Sequence, residues 1–262
     1  MELKDRNIVI TGAGSGIGRA VAQRFAPEQP RGLVLADVNL PAVEAVAEEV
    51  GGLAVQIDVS READIQKLVA SAREFAGPID LFYSNAGIGG PGGGPEAADD
   101  DLQRTWEINV MAHIWAARAV LPEMVERGEG YLVSTASAAG LLTQVSALAY
   151  SITKHAAVAA AEWIAITYGD AGIKVSCLCP LGVRTPMLEM ALDDQVGAAA
   201  LLADEVLEPS DVAEAVVAGI RDERFLILPH EIVGKYVALK GADHERWLTG
   251  MRRLVRAARE TQ

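Results

Sequence analysis

Residues 7–18 read Asn-Ile-Val-Ile-Thr-Gly-Ala-Gly-Ser-Gly-Ile-Gly, an apolar β-prone run that enters a glycine-rich turn. A helical pattern opens directly afterwards, and this order predicts a strand, a tight turn and a helix N-terminus. Glycines let the backbone approach a pyrophosphate closely, and the free N–H groups of the helix can bind its oxygens. The strict G-x-G-x-x-G spacing fails at Ile17, whereas T-G-x-x-x-G-x-G is met at Thr11, Gly12, Gly16 and Gly18. The other interpretation is a tight turn that binds nothing.

Asp37 ends the next predicted strand, 19 residues beyond Gly18. An acidic residue at this position binds the adenosine ribose hydroxyls of a dinucleotide. A carboxylate there repels a 2′-phosphate, and neither Ser15 nor Val38 supplies a cation, so the sequence favours NAD over NADP. The alternative for Asp37 is a surface residue that opens the following loop. Asp58, at the end of the third predicted strand, is either an adenine contact or a turn-capping residue.

Apolar runs alternate with helical patterns along the rest of the chain, as in βαβ units. The predicted strands span residues 7–11, 32–37, 53–58, 79–84, 131–135, 173–179 and 225–228. The predicted helices span residues 16–26, 40–50, 61–76, 101–127, 150–168 and 211–221, with an exposed charged helix from residue 242 onward. The expected fold class is α/β: a single doubly wound parallel sheet of about seven strands, Rossmann-type, with helices on both faces.

The expected domain organisation follows from the absence of any linker rich in Ser or Pro. We expect residues 1–262 to form a single dinucleotide-binding domain. Residues 186–208 favour helix but contain few residues that mark where a helix begins or ends, which predicts a mobile lid over the substrate. Residues 231–262 form a C-terminal extension.

The composition excludes several classes of protein. The formal net charge of −13 argues against binding to nucleic acid. No apolar stretch of about 18 residues predicts a membrane span, and no signal-peptide pattern is present, so we expect a cytoplasmic protein without a membrane partner. Cys177, Cys179 and four scattered histidines lack metal-ligand spacing, so no metal site is expected.

Tyr150 and Lys154 stand four residues apart on a predicted helix, so their side chains share one face. An unperturbed tyrosine is a poor base at neutral pH, because its pKa is near 10. A neighbouring ammonium group stabilises the phenolate, and we therefore expect Lys154 to lower the pKa of Tyr150. Such a tyrosine can take a proton from an alcohol or return it to a carbonyl. Ser137, just past a predicted strand, is either a binder of the substrate oxygen or an ordinary capping serine.

The ordered set of motifs resembles the short-chain dehydrogenase/reductase family. The motifs are Thr11-Gly12-Gly16-Gly18, Asn85-Ala86-Gly87, Asn109, Ser137, Tyr150 and Lys154, and they extend from about residue 5 to about residue 230. The resemblance implies that Tyr150 is the catalytic acid/base and that Ser137 orients the substrate oxygen. It implies that Lys154 also binds the nicotinamide ribose and that Asn109 holds a water in a proton relay reaching Lys154.

The cofactor contacts expected from the residues and from the resemblance span most of the chain. They are Gly12, Ser15, Gly16, Ile17, Gly18, Asp37, Asp58, Val59, Asn85, Ala86, Gly87, Tyr150, Lys154, Pro180, Val183 and Thr185. One position departs from the family pattern Pro-Gly-x-Val-x-Thr, which contacts the nicotinamide carboxamide. Leu181 replaces its glycine, so a side chain projects where the family has none.

The resemblance implies an NAD-dependent oxidoreductase that interconverts a secondary alcohol and a ketone. The alternative is a non-catalytic NAD(H)-binding redox sensor or regulatory protein. The segments expected to line the substrate pocket carry mostly apolar or small side chains, and this favours a moderately hydrophobic alcohol or ketone as the substrate. Members of the resembled family commonly form tetramers, so a homo-oligomer, either tetramer or dimer, is expected.

Overall fold

The computed structural model describes residues 1–192, 194–202 and 205–260. Asp193, Ala203 and Asp204 of the predicted lid, and Thr261 and Gln262 of the C-terminal extension, lie outside the described residues.

Seven parallel strands form one sheet in the order β3-β2-β1-β4-β5-β6-β7. The strands are β1 (Asn7–Thr11), β2 (Gly32–Asp37), β3 (Leu53–Gln56), β4 (Leu81–Ser84), β5 (Gly130–Thr135), β6 (Ile173–Leu178) and β7 (Leu226–Ile227). The chain runs from β3 at one edge back to β4 beside β1. The order therefore reverses between β1 and β4, and a crevice opens beyond the carboxyl ends of these two strands. The predicted fold class is confirmed.

Helices connect the strands and cover both faces of the sheet. They are α1 (Gly16–Phe25), α2 (Leu40–Val50), α3 (Glu62–Ala76), α4 (Asp99–Trp106), α5 (Ala112–Arg127), α6 (Ala139–Leu142), α7 (Leu148–Tyr168), α8 (Pro186–Ala191), α9 (Gln195–Leu201), α10 (Pro209–Arg221), α11 (Glu231–Ala242) and α12 (His244–Glu260). A π-helical segment, Glu107–Met111, joins α4 to α5.

The core consists of two apolar layers, one on each face of the sheet. Successive strand residues point to opposite faces, so Ile8 and Ile10 enter one layer and Val9 enters the other. Helices α1, α2 and α10 cover the Ile8 layer, and helices α3, α5 and α7 cover the Val9 layer. Strands buried on both faces need apolar residues throughout, which explains the continuous apolar runs in the sequence.

Several elements differ from their predicted bounds. Strands β3, β4, β6 and β7 are shorter than predicted. The single helix expected over residues 101–127 begins at Asp99 and contains the π-helical segment. Among the described residues, the edge strand β7 pairs with β6 alone, through two residues. Helices α6 and α11 were not predicted. Among the described residues, no helix is long and apolar enough to cross a membrane.

Candidate active site

The carboxyl ends of β1, β4 and β5 are tied together by polar side chains. The Thr11 hydroxyl oxygen accepts hydrogen bonds from the backbone N–H groups of Asn85 (3.0 Å) and Ala86 (3.1 Å). The Asn85 amide donates to the Thr11 carbonyl (3.0 Å). Thr135 donates its hydroxyl proton to Asn85 Oδ1 (3.0 Å), and its oxygen also lies 2.9 Å from the Tyr83 hydroxyl. A hydroxyl has one proton, so Tyr83 is the donor to Thr135. This network fixes the floor of the crevice.

The glycine-rich turn lies directly above this floor. Gly12 has φ of +66°, and a Cβ atom there would lie 2.8 Å from Ala86 Cα. Gly16 also has a positive φ, and a Cβ atom on it would come within 3.2 Å of the Thr185 methyl group. A side chain at either position would therefore be strained and would close the crevice.

The turn leads into the N-terminus of α1. Ser15 is the N-cap residue, and its side chain makes no capping hydrogen bond within the described structure. Ile17 is partly buried against the core, and Gly18 is buried beneath the turn. The first N–H groups of a helix have no partner inside it, so this end of α1 is suited to anionic oxygens.

Asp37, at the end of β2, holds the glycine-rich turn from the side. Its carboxylate accepts hydrogen bonds from Gly14 N (2.9 Å) and Asn39 N (3.0 Å). These bonds occupy one site on each oxygen, and a carboxylate has further acceptor sites. Asp37 can therefore still accept hydrogen bonds from a pair of ribose hydroxyls.

Asp58 and Val59 follow the next strand. Asp58 accepts hydrogen bonds from Ser60 N (3.0 Å) and Ser60 Oγ (2.7 Å). These bonds correspond to the turn-capping role, one of the two roles that the sequence left open for Asp58. Burial raises the pKa of Asp58, but the Ser60 hydrogen bonds and the nearby Arg104 outweigh it, so the pKa lies below its ordinary value. Val59 packs against the core. Both residues lie on the β3 side of the crevice.

Lys154 is the buried cation of the site. Its amine donates a hydrogen bond to the Thr135 carbonyl (3.1 Å) and lies 5.6 Å from the centre of the Tyr150 ring. A Cβ atom on Gly87 would stand 3.2 Å from that amine, so Gly87 leaves room for it at the crevice. Burial lowers the pKa of Lys154 to about 8.

The Tyr150 phenol responds to burial in the opposite direction. Burial raises its pKa above the ordinary value of a tyrosine, and the neighbouring Ser137 hydroxyl lowers it by a smaller amount. The expected lowering of the Tyr150 pKa is therefore wrong as a net direction for the protein alone, because burial outweighs the opposing effect of Ser137. Removing a phenolate from water costs more free energy than its neighbours return. The residue as a whole is half-buried.

Ser137 lies in the turn between β5 and α6. Its oxygen accepts a hydrogen bond from Ala139 N (3.1 Å). The next residue, Ala138, donates its N–H to the Pro180 carbonyl (2.8 Å). This bond joins the serine turn to the segment that follows β6, in which Val183 is buried. Thr185 ends that segment as the N-cap of α8 and accepts from Leu188 N at 3.4 Å.

Asn109 is fully buried within the π-helical segment. Its Oδ1 accepts from Ile88 N (2.9 Å), and its Nδ2 donates to Ile88 O (2.9 Å) and to Thr153 Oγ1 (3.2 Å). Through these bonds Asn109 holds Ile88, in the segment after β4, close to Thr153 of α7. Both amide protons are used, which leaves one lone pair of Oδ1 as the side chain's remaining acceptor.

His113 was not predicted to belong to the site. It lies one helical turn beyond Asn109, and its Nδ1 is 3.2 Å from Ser134 Oγ. Its Nε2 is buried without a hydrogen-bond partner among the described residues. Burial, assisted by the charge on Lys154, lowers the pKa of His113 to about 3, so the ring is neutral. The four-residue spacing from Asn109 was the one signal in the sequence that could have indicated this position.

The sequence matches the family described as short chain dehydrogenase over residues 6–196. It is similar to 17-beta-hydroxysteroid dehydrogenase 13 of Rattus norvegicus, at 31% identity over 257 residues, covering 95% of this chain and 83% of that protein.

Two solved structures extend the comparison. A short chain dehydrogenase/reductase from Burkholderia phymatum in complex with NAD aligns with a TM-score of 0.85 and 32% identity, covering 94% of this chain and 96% of that chain. A short-chain dehydrogenase from Sphingobium yanoikuyae in complex with NADPH aligns with a TM-score of 0.77 and 27% identity, covering 93% and 94%. The relatives thus include proteins solved with either dinucleotide.

Proposed function

The chain belongs to the short-chain dehydrogenase/reductase family, and from that premise we propose that it interconverts a secondary alcohol and a ketone with NAD as the hydride carrier. The observation that carries the proposal is the Lys154 amine, which lies beside Tyr150 and next to Gly87 at the crevice. Oxidised NAD supplies a nicotinamide ring that accepts a hydride and carries a positive charge.

The residues that would hold the cofactor are arranged along the crevice. The α1 N-terminus and the turn at Gly12, Ser15, Gly16, Ile17 and Gly18 would bind the pyrophosphate. The adenosine side would contact Asp37, Asp58 and Val59. The nicotinamide side would contact Asn85, Ala86, Gly87, Lys154, Pro180, Val183 and Thr185. A Cβ atom on Gly12 would meet Ala86 and one on Gly16 would meet Thr185, so the turn lies next to residues of the nicotinamide side, which supports this division.

Asp37 supports the choice of NAD over NADP. Its carboxylate lies at the end of β2 and is held there by Gly14 N and Asn39 N. A fixed negative charge at this point would repel a 2′-phosphate. Val38, the next residue, is 64% exposed and carries no compensating charge.

The proton would move through the side chains of α7 and the serine turn. Ser137 would hold the substrate oxygen, and the Tyr150 hydroxyl would exchange a proton with it. The Lys154 amine, fixed at Thr135 O, would stabilise the phenolate that forms. Asn109 would keep the segment at Ile88 in place and offer its remaining Oδ1 lone pair to a water that leads to Lys154.

The substrate side of the crevice is largely apolar. Leu141 lies near the serine turn, Leu188 lies in α8, and Met190 is exposed on α8. These side chains favour a moderately hydrophobic alcohol or ketone. The described parts of residues 186–208 contain two short helices, α8 and α9, which we propose as the lid.

Replacement of the tyrosine tests the acid/base role. Tyr150→Phe removes the proton-transferring hydroxyl and is expected to lower kcat with NAD and a panel of secondary alcohols by about 10³-fold. NADH binding, measured by fluorescence titration, is expected to stay within about threefold of the parent protein, because the ring is retained. The matched control is Tyr168→Phe at the end of α7. Full activity of Tyr150→Phe would contradict the assignment, and tight NADH binding without turnover in the parent protein would support the redox sensor.

Replacement of Asp37 tests the cofactor preference. Asp37→Ser removes the charge that would repel a 2′-phosphate, so the ratio of kcat/KM for NADP to that for NAD is expected to rise at least about tenfold. Steady-state kinetics with both cofactors measure this ratio. The control is Asp170→Ser, an exposed residue just before β6 at the end of the sheet opposite the crevice, which should leave the ratio unchanged. An unchanged ratio in Asp37→Ser would show that Asp37 does not contact the ribose.

The outer face of α7 supports a homo-oligomer. Ile152, Trp163 and Ile166 are 51%, 60% and 84% exposed and fall on one side of this helix. Large exposed apolar side chains on one side of a helix are typical of a surface covered by a second copy. We infer that α7 packs against α7 of another copy.

Charge placed on this face is expected to dissociate the oligomer. The double change Trp163→Glu and Ile166→Glu buries two unpaired carboxylates in the interface, so light scattering after size exclusion should give a smaller species. The control is Phe75→Glu, because Phe75 is 47% exposed on α3 and away from α7. An unchanged mass for the double variant would rule out α7 as the interface.

A further inference from the structure

Leu181, which stands where the family pattern has glycine, packs into an apolar cluster formed with the C-terminal extension. The buried centre of this cluster is Ala138, Leu142 and Val233, and Leu181 and Tyr236 lie against it. Val233 and Tyr236 belong to α11. The side chain that departs from the family pattern therefore packs against a helix that lies after residues 6–196, the part of the chain matched by the family model.

His230 binds the backbone of the same segment at two points. Leu181 N donates to His230 Nδ1 (3.2 Å), and His230 Nε2 lies 3.1 Å from the Gly182 carbonyl. A backbone N–H can only donate, so Nδ1 is the acceptor and Nε2 carries the proton. His230 is 3% exposed and is the N-cap residue of α11. One neutral imidazole thus fixes two consecutive peptide groups.

Residues outside the C-terminal extension also hydrogen-bond the backbone of residues 180–182. Leu207 N also donates to the Gly182 carbonyl (3.1 Å), and Ala138 N donates to the Pro180 carbonyl (2.8 Å). Among the described residues, His230 is the one member of the C-terminal extension that hydrogen-bonds residues 180–182. Three residues beyond Gly182, Thr185 faces Gly16 across the crevice.

We propose that His230 is a positioning residue for the nicotinamide-binding segment, residues 180–185, and that Leu181 and α11 act with it as one anchor. The inference rests on the proposed cofactor binding, because the segment is the one expected to contact the nicotinamide. His230 itself touches neither the substrate nor the reacting atoms. It acts by holding Leu181 and Gly182 where Val183 and Thr185 reach the crevice.

The energetic reason lies in the Leu181 N–H. If the imidazole is replaced by an apolar ring, this N–H loses its acceptor, whereas the Gly182 carbonyl keeps the bond from Leu207. A partly buried donor without an acceptor is unfavourable, so the peptide would rotate toward solvent and the segment would loosen. Glutamine carries one acceptor and one donor and can replace both bonds.

Hydrogen exchange of the cofactor-free protein tests the anchor directly. His230→Phe is expected to speed exchange at the Leu181 amide at least about tenfold, and His230→Gln is expected to restore slow exchange. The matched control is His244→Phe, an exposed residue of α12. Equal exchange rates in the parent protein and in His230→Phe would overturn the proposal.

NADH titration tests the consequence for the cofactor. The Kd for NADH is expected to rise about tenfold in His230→Phe and to recover in His230→Gln, whereas a role in stability alone would lower Tm without changing Kd. Leu181→Gly restores the family residue, yet it is expected to weaken NADH binding because α11 loses its contact. Tighter binding by Leu181→Gly would overturn the proposal.

NADH binding by the parent protein and by His230→Phe, measured side by side, separates this inference from the proposed function. If the parent protein binds no dinucleotide, the proposed function fails, and the proposed role of His230 toward the cofactor fails with it. If the parent protein binds NADH and His230→Phe binds it equally well, the proposed function stands and only the anchor is refuted. If His230→Phe does not fold, Leu181→Gly gives the decision, because weaker NADH binding in that variant supports the anchor and unchanged or tighter binding refutes it.

Discussion

The hydrogen bond from the Lys154 amine to the Thr135 carbonyl is the interaction on which the rest of the site depends. A buried ammonium group needs fixed acceptors, because it has lost its hydration. Thr135 supplies that acceptor, and its own hydroxyl is bound to Asn85, which is bound in turn to Thr11. The cation beside Tyr150 and the turn suited to phosphate are therefore positioned by one continuous network across three strands.

Burial acts on the two proton-transfer groups in opposite directions. It lowers the pKa of Lys154 to about 8 and raises that of Tyr150, so both groups move toward their neutral forms. With both pKa values shifted in this way, the phenol keeps its proton until a further positive charge nearby stabilises the phenolate. We infer that cofactor binding supplies this charge, and that the cost of burial keeps the tyrosine protonated in its absence.

The sequence predicted the α/β fold class with its parallel sheet, the glycine-rich turn and the helix that carries Tyr150 and Lys154. Each of these depends on the local spacing of residues. Strands β1 and β2 and helix α2 have the predicted bounds. The clamp of Asn109 on Ile88, the buried neutral His113 and the anchor at His230 were not predicted. Each joins residues 21 to 49 positions apart, and no local pattern reports such a contact. The sign of the Tyr150 pKa shift was also wrong, because spacing gives the neighbour but not the degree of burial.

A spectroscopic titration of Tyr150 tests the central claim most directly. The ultraviolet difference between the parent protein and Tyr150→Phe reports this phenol alone, and it can be followed against pH with and without NAD⁺. The account predicts a pKa above the ordinary value in the protein alone and a fall of about 2 pH units on NAD⁺ binding, with Lys154→Met reducing that fall. A pKa that is the same with and without NAD⁺ would contradict the account.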